Sequence, residues 1–217
     1  MTEHSIEEAI AQSKERRHLV EESFDNAVLT GIALDDWVFE RCTFRNARLD
    51  GALLNGVRFM SCRGSSANFS GAELDDAVFR SCDFNNSDFK RAQLSSVLFE
   101  QCKLTGSDFS AADALGVRFE ESLLISTKMP SFSFRKMEVR KVDFSQADLS
   151  GCDFRQSVLR ECSLRDAFVA GARFEGADLR DADLGGLRLI DAARFKGATI
   201  SLKQAGALLA ELGLKVQ

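Results

Sequence analysis

The sequence predicts an all-β solenoid of square section, and three observations carry that prediction. Leu or Phe recurs at every fifth residue, the segments around successive Phe residues resemble one another every twenty, and Gly or Asn tends to fall two residues after a Leu/Phe place. A period of five fits neither an α-helix at 3.6 nor a strand at 2. Self-similarity of this kind marks a repeat architecture.

The pentad register is continuous. Of the 34 places from Phe24 to Leu189, Leu or Phe fills 29, the exceptions being Gly64, Ala114, Met129, Val139 and Val169. Of the 18 Phe, only Phe132, Phe168 and Phe195 lie outside this register, and the chain has no Tyr. Two residues before each centre stands a small or compact side chain such as Ala47, Ala52, Val57, Ala67 or Ala72, which fits beside the bulky centre in a close-packed interior. Two residues after it come Gly31, Gly51, Gly71 and Gly151, or Asn26, Asn46 and Asn86, residues that tolerate the positive φ of a corner. Each pentad is therefore a short side followed by a corner.

The twenty-residue period sets four sides to a coil. Trp37–Cys42, Val57–Cys62, Ala77–Cys82 and Val97–Cys102 are variants of one segment, so Phe39, Phe59, Phe79, Phe99 and Phe119 should stack in one column. About 8–9 coils follow, and at a spacing of about 4.8 Å they make a rod roughly 41 Å long. The coil from Val117 to Lys136 is the least regular, with the sole proline, Pro130, Met129 at a centre and Phe132 at a small place. A bend or bulge is expected there.

A solenoid needs covered ends. Ser5-Ile6-Glu7-Glu8 has the form of a capping box and opens a polar helix to about Arg17. Ser201-Leu202-Lys203-Gln204 is a second box, followed by Leu202, Ala205, Leu208, Leu209 and Leu212 at helical spacing and by Gly213 as a stop. The expected organisation is an N-terminal helix and cap over 1–21, a solenoid over 22–196, and a C-terminal helix plus short strand over 197–217.

Composition narrows the function. The chain has 217 residues, 45% of them apolar, which is enough for a core and speaks against disorder. No run of 18 apolar residues marks a membrane span, and Met1–Ser5 has no basic n-region, so a cytoplasmic location is expected. The net charge of −5 argues against direct nucleic-acid binding. Cys42, Cys62, Cys82, Cys102, Cys152 and Cys162 all fall at the small inward place, with coil spacing in place of zinc spacing. They are expected to be reduced core residues, with no metal or cofactor. His4 and His18 are the only histidines and both precede the solenoid, and a filled interior leaves no pocket for chemistry, so no enzyme is expected.

What remains is surface. The side centred at Leu34, Leu54, Leu74, Leu94 and Ala114 carries Asp35, Asp36, Glu73, Asp75, Asp76 and Asp113, with no Lys or Arg before Arg135. Ordinary solubilising charge accounts for such a stripe; electrostatic mimicry of nucleic acid is the sharper account. Arg140, Arg155, Arg160, Arg165, Arg173 and Arg180 are expected to make the later coils basic.

Ala147-Asp148-Leu149-Ser150-Gly151, Ala177-Asp178-Leu179-Arg180-Asp181 and Ser107-Asp108-Phe109-Ser110-Ala111 resemble the A-(D/N)-(L/F)-x-G signature of pentapeptide-repeat proteins. That resemblance implies a right-handed quadrilateral β-helix. The solenoid length together with the tail from Ile200 to Val216 is similar to the Qnr, MfpA and AlbG group, and the unbroken register is closer to the loop-free type within it. The likeness implies a DNA mimic that binds DNA gyrase, and often topoisomerase IV, and shields it from fluoroquinolones or natural topoisomerase poisons. It also implies a homodimer joined through Leu202, Ala205, Leu208, Leu209, Leu212, Leu214 and Val216, with the acidic side as the partner-binding face. The alternative is a cytoplasmic scaffold or adaptor with an unrelated protein partner.

Overall fold

The structure, a computed structural model, describes residues 17–186, 193–211 and 213–215. The expected N-terminal helix, Leu212 and Val216 lie outside these residues. The chain forms two compact units, 1–122 and 123–217, and the division falls within the coil 117–136 that stands out as irregular in the sequence.

In the first unit, six strands of three residues each recur at twenty-residue intervals: β1 (His18–Val20), β2 (Val38–Glu40), β3 (Arg58–Met60), β4 (Val78–Arg80), β5 (Leu98–Glu100) and β6 (Arg118–Glu120). They pair in parallel with their chain neighbours, Phe39 opposite Phe59 and Phe79 opposite Phe99. Isolated parallel bridges such as Thr43 to Arg63, Arg48 to Asn68 and Leu53 to Glu73 form the other three sides. In the second unit, β7 (Glu138–Arg140) and β8 (Val158–Arg160) pair in the same register. The sides are numbered here from the strand side, in chain order. The ladder begins at His18, ahead of the boundary expected at residue 22, because His18 already pairs with Val38.

Why the chain turns so regularly is visible at the corners. Most corners close with a four-residue turn, for example Ala27 N–H to Phe24 C=O at 3.0 Å and Ile32 N–H to Leu29 C=O at 3.2 Å, an exception being Ser87, whose N–H goes to Ser107 Oγ at 3.1 Å. The third residue of each turn has positive φ, 60° at Asn26 and 67° at Gly31. The corner after the strand side is built differently. There a side chain meets the carbonyl of the centre residue: the Cys62 thiol donates to Phe39 C=O at 3.2 Å, Cys102 to Phe79 C=O at 3.3 Å, and Ser122 Oγ to Phe99 C=O at 3.3 Å. The cysteines are thus buried and unbridged, and Cys42, Cys62, Cys82, Cys102 and Cys162 also act as hydrogen-bond donors at this corner, whereas Cys152 donates to Met129 C=O at a corner that has a turn bond.

Inside, the Phe columns stack as the twenty-residue period requires. Phe59, Phe79 and Phe99 have ring centroids 4.8 Å apart, and Phe69, Phe89 and Phe109 form a second column at 4.9 and 4.8 Å. Neighbouring columns meet edge to face, as Phe79 does with Phe84 at 5.4 Å and 89°, an arrangement that suits ring quadrupoles. Gly64 interrupts the second-side column. Phe84 fills the gap, its ring reaching within 6.5 Å of Phe44 two coils away.

Of the three Phe outside the register, Phe132 is buried, Phe168 is 59% exposed, and Phe195 rejoins the interior. Phe195 stacks on Phe174 at 4.5 Å, and Thr199 pairs with Asp178. Both spacings are 21 in place of 20, so one extra residue carries the solenoid to Thr199, past the expected end at 196. The helix α1 (Leu202–Glu211) follows. Its start is the expected capping box: Gln204 N–H reaches Ser201 Oγ at 3.3 Å, and Gln204 Oε1 accepts from Ser201 N–H at 2.6 Å. Its end is a Schellman motif, with Gly213 N–H to Ala210 C=O and Leu214 N–H to Leu209 C=O.

Candidate partner-binding surfaces

The fourth side of the first unit gathers the predicted acidic residues, and their positions follow from the pentad. Glu73 and Asp113 stand one residue before a centre and point outward; Asp35 and Asp75 stand one after; Asp36 and Asp76 occupy corners with φ of 63° and 59°. Asp36, Asp76 and Asp113 are exposed, while Asp35, Glu73 and Asp75 are half-buried.

Asp35 and Asp75 have a structural task as well. Asp35 Oδ1 accepts Asn55 N–H at 2.9 Å, Asn55 Oδ1 accepts Asp75 N–H at 3.2 Å, and Asp75 Oδ1 accepts Ser95 N–H at 2.9 Å. Asn55 is the rung that charge counting overlooks, although its spacing of 20 from Asp35 and Asp75 announces it. The ladder fixes the backbone of the side. At the N-terminal end Arg17 pairs with Asp36 at 3.2 Å and also donates to Asp35 C=O. Beyond that pair, Glu73, Asp75, Asp76 and Asp113 have no cationic partner among the described residues.

The second unit differs. The six arginines expected to make the later coils basic are each matched by a carboxylate: Arg140 by Glu138 at 2.8 Å, Arg160 by Asp181 at 2.9 Å, Arg165 by Asp183 at 2.8 Å, Arg173 by Glu175 at 3.3 Å, Arg180 by Asp178 at 2.7 Å, and Arg155 by Asp153 at 2.5 Å. Four of these pairs join residues two apart, which point the same way across one side. The Arg180 guanidinium holds the Asp178 carboxyl down to about 2, against some desolvation. The expectation of basic later coils is therefore corrected: these six arginines are neutralised locally, whereas Arg135 forms no salt bridge among the described residues.

The C-terminal helix is anchored by Gln204, whose Nε2 donates to both Leu179 C=O and Ala182 C=O at 2.6 Å. Ala205, Leu208 and Leu209 are half-buried, Leu202 is 93% exposed and Leu214 is 54% exposed. Between this helix and the last coil lies a groove of about 510 Å³ that includes Ala182, Leu184, Ala207 and Leu208. Val38, Val78, Leu98 and Val158, apolar at outward places, are half-buried. Among the described residues, no helix is long and apolar enough to cross a membrane, and no group of three or more His, Cys, Asp or Glu is placed to hold a metal ion.

Comparison with known proteins agrees with this geometry. The sequence matches the pentapeptide repeat region over residues 32–109, 54–129 and 92–174, and pentapeptide repeats (8 copies) over 157–201. No curated protein matches by sequence. Among solved structures, full-length QnrB1, a plasmid-mediated fluoroquinolone resistance protein, is 24% identical, with 91% of this chain and 100% of that one covered and a TM-score of 0.78. A trypsin-treated QnrB1 variant is 26% identical, covering 92% and 97%, with a TM-score of 0.73. HetL, involved in heterocyst differentiation regulation in the cyanobacterium Nostoc, is 18% identical, covering 87% and 92%, with a TM-score of 0.70; that likeness is one of fold.

Proposed function

The chain belongs to the pentapeptide-repeat family, and on that premise we propose that it is a non-enzymatic mimic of duplex DNA that binds DNA gyrase, with topoisomerase IV as a second target. Bound there, it shields the enzyme from fluoroquinolones or natural topoisomerase poisons in the cytoplasm. The observation that carries this reading is the uncompensated acidic side of the first unit, Glu73, Asp75, Asp76 and Asp113, in a chain where six arginines of the second unit are paired with carboxylates. Equivalent carboxylates recur every second coil, as Asp36 and Asp76 or Glu73 and Asp113 do, which at about 4.8 Å per coil sets a regular row of negative charge about 9.6 Å apart. The likeness to QnrB1, named for fluoroquinolone resistance, supports the choice of partner.

The active species in this reading is a homodimer. The exposed Leu202 and Leu214 supply apolar contact beyond what the solenoid end covers, with Ala205, Leu208 and Leu209 beside them. A two-fold assembly repeats the acidic side for a two-fold target.

The test is gyrase supercoiling with titrated protein, with and without ciprofloxacin. Restored supercoiling in the presence of drug supports the reading. No effect on supercoiling or on drug-induced cleavage at any ratio overturns it, and the adaptor reading then leads.

A further inference from the structure

Four of the six cysteines form a continuous file. Cys42, Cys62, Cys82 and Cys102 occupy the same corner of four successive coils, all buried and unoxidised. Their thiols hold equivalent places, Cys42 Sγ on Leu19 C=O at 3.5 Å, Cys62 on Phe39 C=O and Cys82 on Phe59 C=O at 3.2 Å, and Cys102 on Phe79 C=O at 3.3 Å, so successive sulfurs stand one coil apart. Cys62 N–H also points at Cys82 Sγ, at 3.4 Å. Ser122 continues the file, giving its Oγ to Cys102 N–H at 2.9 Å. Cys152 and Cys162 have no such neighbour, because the places twenty residues away hold Phe132 and Ala172, and Val142 and Ala182.

The spacing of this file has a chemical meaning. Successive coils rise by about 4.8 Å. Two metal–thiolate bonds of about 2.3 Å laid end to end span about 4.6 Å. A tetrahedral ion needs donors from several directions, which a file does not offer, but a linear ion needs only two donors on one line. We propose that adjacent cysteines of this file form two-coordinate sites for a soft, thiophilic d10 cation, one between Cys42 and Cys62 and one between Cys82 and Cys102. Soft thiolates select such ions over hard ones.

Charge decides which ion the interior favours. Each binding event forms two metal–sulfur bonds and releases two thiol protons to solvent. A dipositive ion leaves a neutral S–metal–S unit, whereas a monovalent ion leaves a net negative charge in an apolar interior, which is costly. Mercury(II) is therefore the better fit, with silver(I) or copper(I) weaker. Cys42 is fully buried but borders a surface cavity of about 330 Å³ lined also by Arg41, Thr43, Ser61 and Arg63, so a small shift of that lining would admit the ion. Arg41 is paired with Glu21 and Glu40, and Arg63 gives the mouth positive charge. Delivery as a chloride or thiol complex suits that mouth better than a bare cation.

The experiment counts ions on the folded, metal-free protein by native mass spectrometry after incubation with mercuric chloride, using two double variants that remove the same number of cysteines. Cys42→Ser/Cys102→Ser keeps the adjacent Cys62–Cys82 pair; Cys62→Ser/Cys82→Ser leaves only separated thiols. Ser122 shows that serine fills this corner with the same hydrogen bond to the centre carbonyl, so both variants keep the fold. Two ions are expected on the wild type, one on the first variant, none on the second, and no zinc(II) on any. Should a double variant unfold, Cys82→Ser alone leaves one pair and one ion. Equal occupancy of the two double variants, binding of zinc, or no ion on the folded wild type overturns the proposal.

Discussion

The ring of Phe84 occupies the space that a side chain at Gly64 would need: a Cβ at residue 64 would lie 2.0 Å from Phe84 Cε1. Gly64 has no positive φ, so its constraint is volume alone. Gly64→Ala should therefore destabilise by about 1–3 kcal/mol through overpacking. In a Phe84→Leu background the same change should cost clearly less, because the two residues share one space. Thermal unfolding of the four proteins checks the coupling, and additive losses would show that the ring does not fill the gap.

Phe79 lies between Phe59 and Phe99 with both centroids at 4.8 Å. Phe79→Ala should cost about 3–5 kcal/mol, the usual loss for a buried Phe. A melting temperature within a degree or two of wild type would contradict the inward orientation of the column.

Burial pushes the thiols up, Cys152 to about 12 and Cys162 to about 11 from an ordinary 9.0. All six should resist a bulky aromatic disulfide reagent at pH 8 in the folded protein, since it cannot enter where a small mercuric complex can, and all six should titrate after denaturation without reductant. The sign of the pH effect follows from linkage. The folded state keeps protons that the unfolded state loses near pH 9, so this contribution is complete below pH 9 and disappears between about 9 and 12. Urea midpoints across that range, compared with those of Cys152→Ser and Cys162→Ser, test it.

Asp76 and Asp113 are exposed and carry no hydrogen-bonded rung, so they separate binding from folding. Asp76→Lys/Asp113→Lys should leave the melting temperature within a degree or two and weaken protection of gyrase at least about tenfold, an effect that shrinks as salt screens the face. Unchanged protection would remove the acidic side from the interface.

Leu202 and Gln204, two residues apart, should respond oppositely. Leu202→Glu alters a side chain that is 93% exposed, so light scattering should find a monomer of unchanged stability. Gln204→Ala removes the bonds to Leu179 and Ala182 carbonyls and should cost about 2 kcal/mol, taking about 1 per bond. A monomeric wild type at tens of micromolar would make the helix a cap only.

Much of the fold was legible because each pentad place has one steric role: a bulky centre, a small partner, a corner with positive φ. Reading failed where a neighbour compensates for a broken rule. Gly64 looks like a defect until Phe84 is seen across it, and Phe195 looks out of register until one extra residue shifts the last coil. The acidic side was legible as a consequence of the period. Its contrast with the second unit was not, because a count of arginines does not register that Asp153, Glu138 and Asp178 stand two residues from their partners. The cysteines read as small fillers, since the missing turn bond at the corner of all but Cys152 is a property of the folded chain.

The ladder from Asp35 through Asn55 and Asp75 to Ser95 also sets a clock. Each rung's acceptor is made twenty residues before its donor exists, so during synthesis every coil must wait for the next to emerge. At about 5–20 residues per second, that wait is about 1–4 s per coil. Throughout it the newest coil has an open rim of unpaired amides and carbonyls. Slow codons within one coil would lengthen the exposure, whereas a pause at a coil boundary would give the finished coils time to settle.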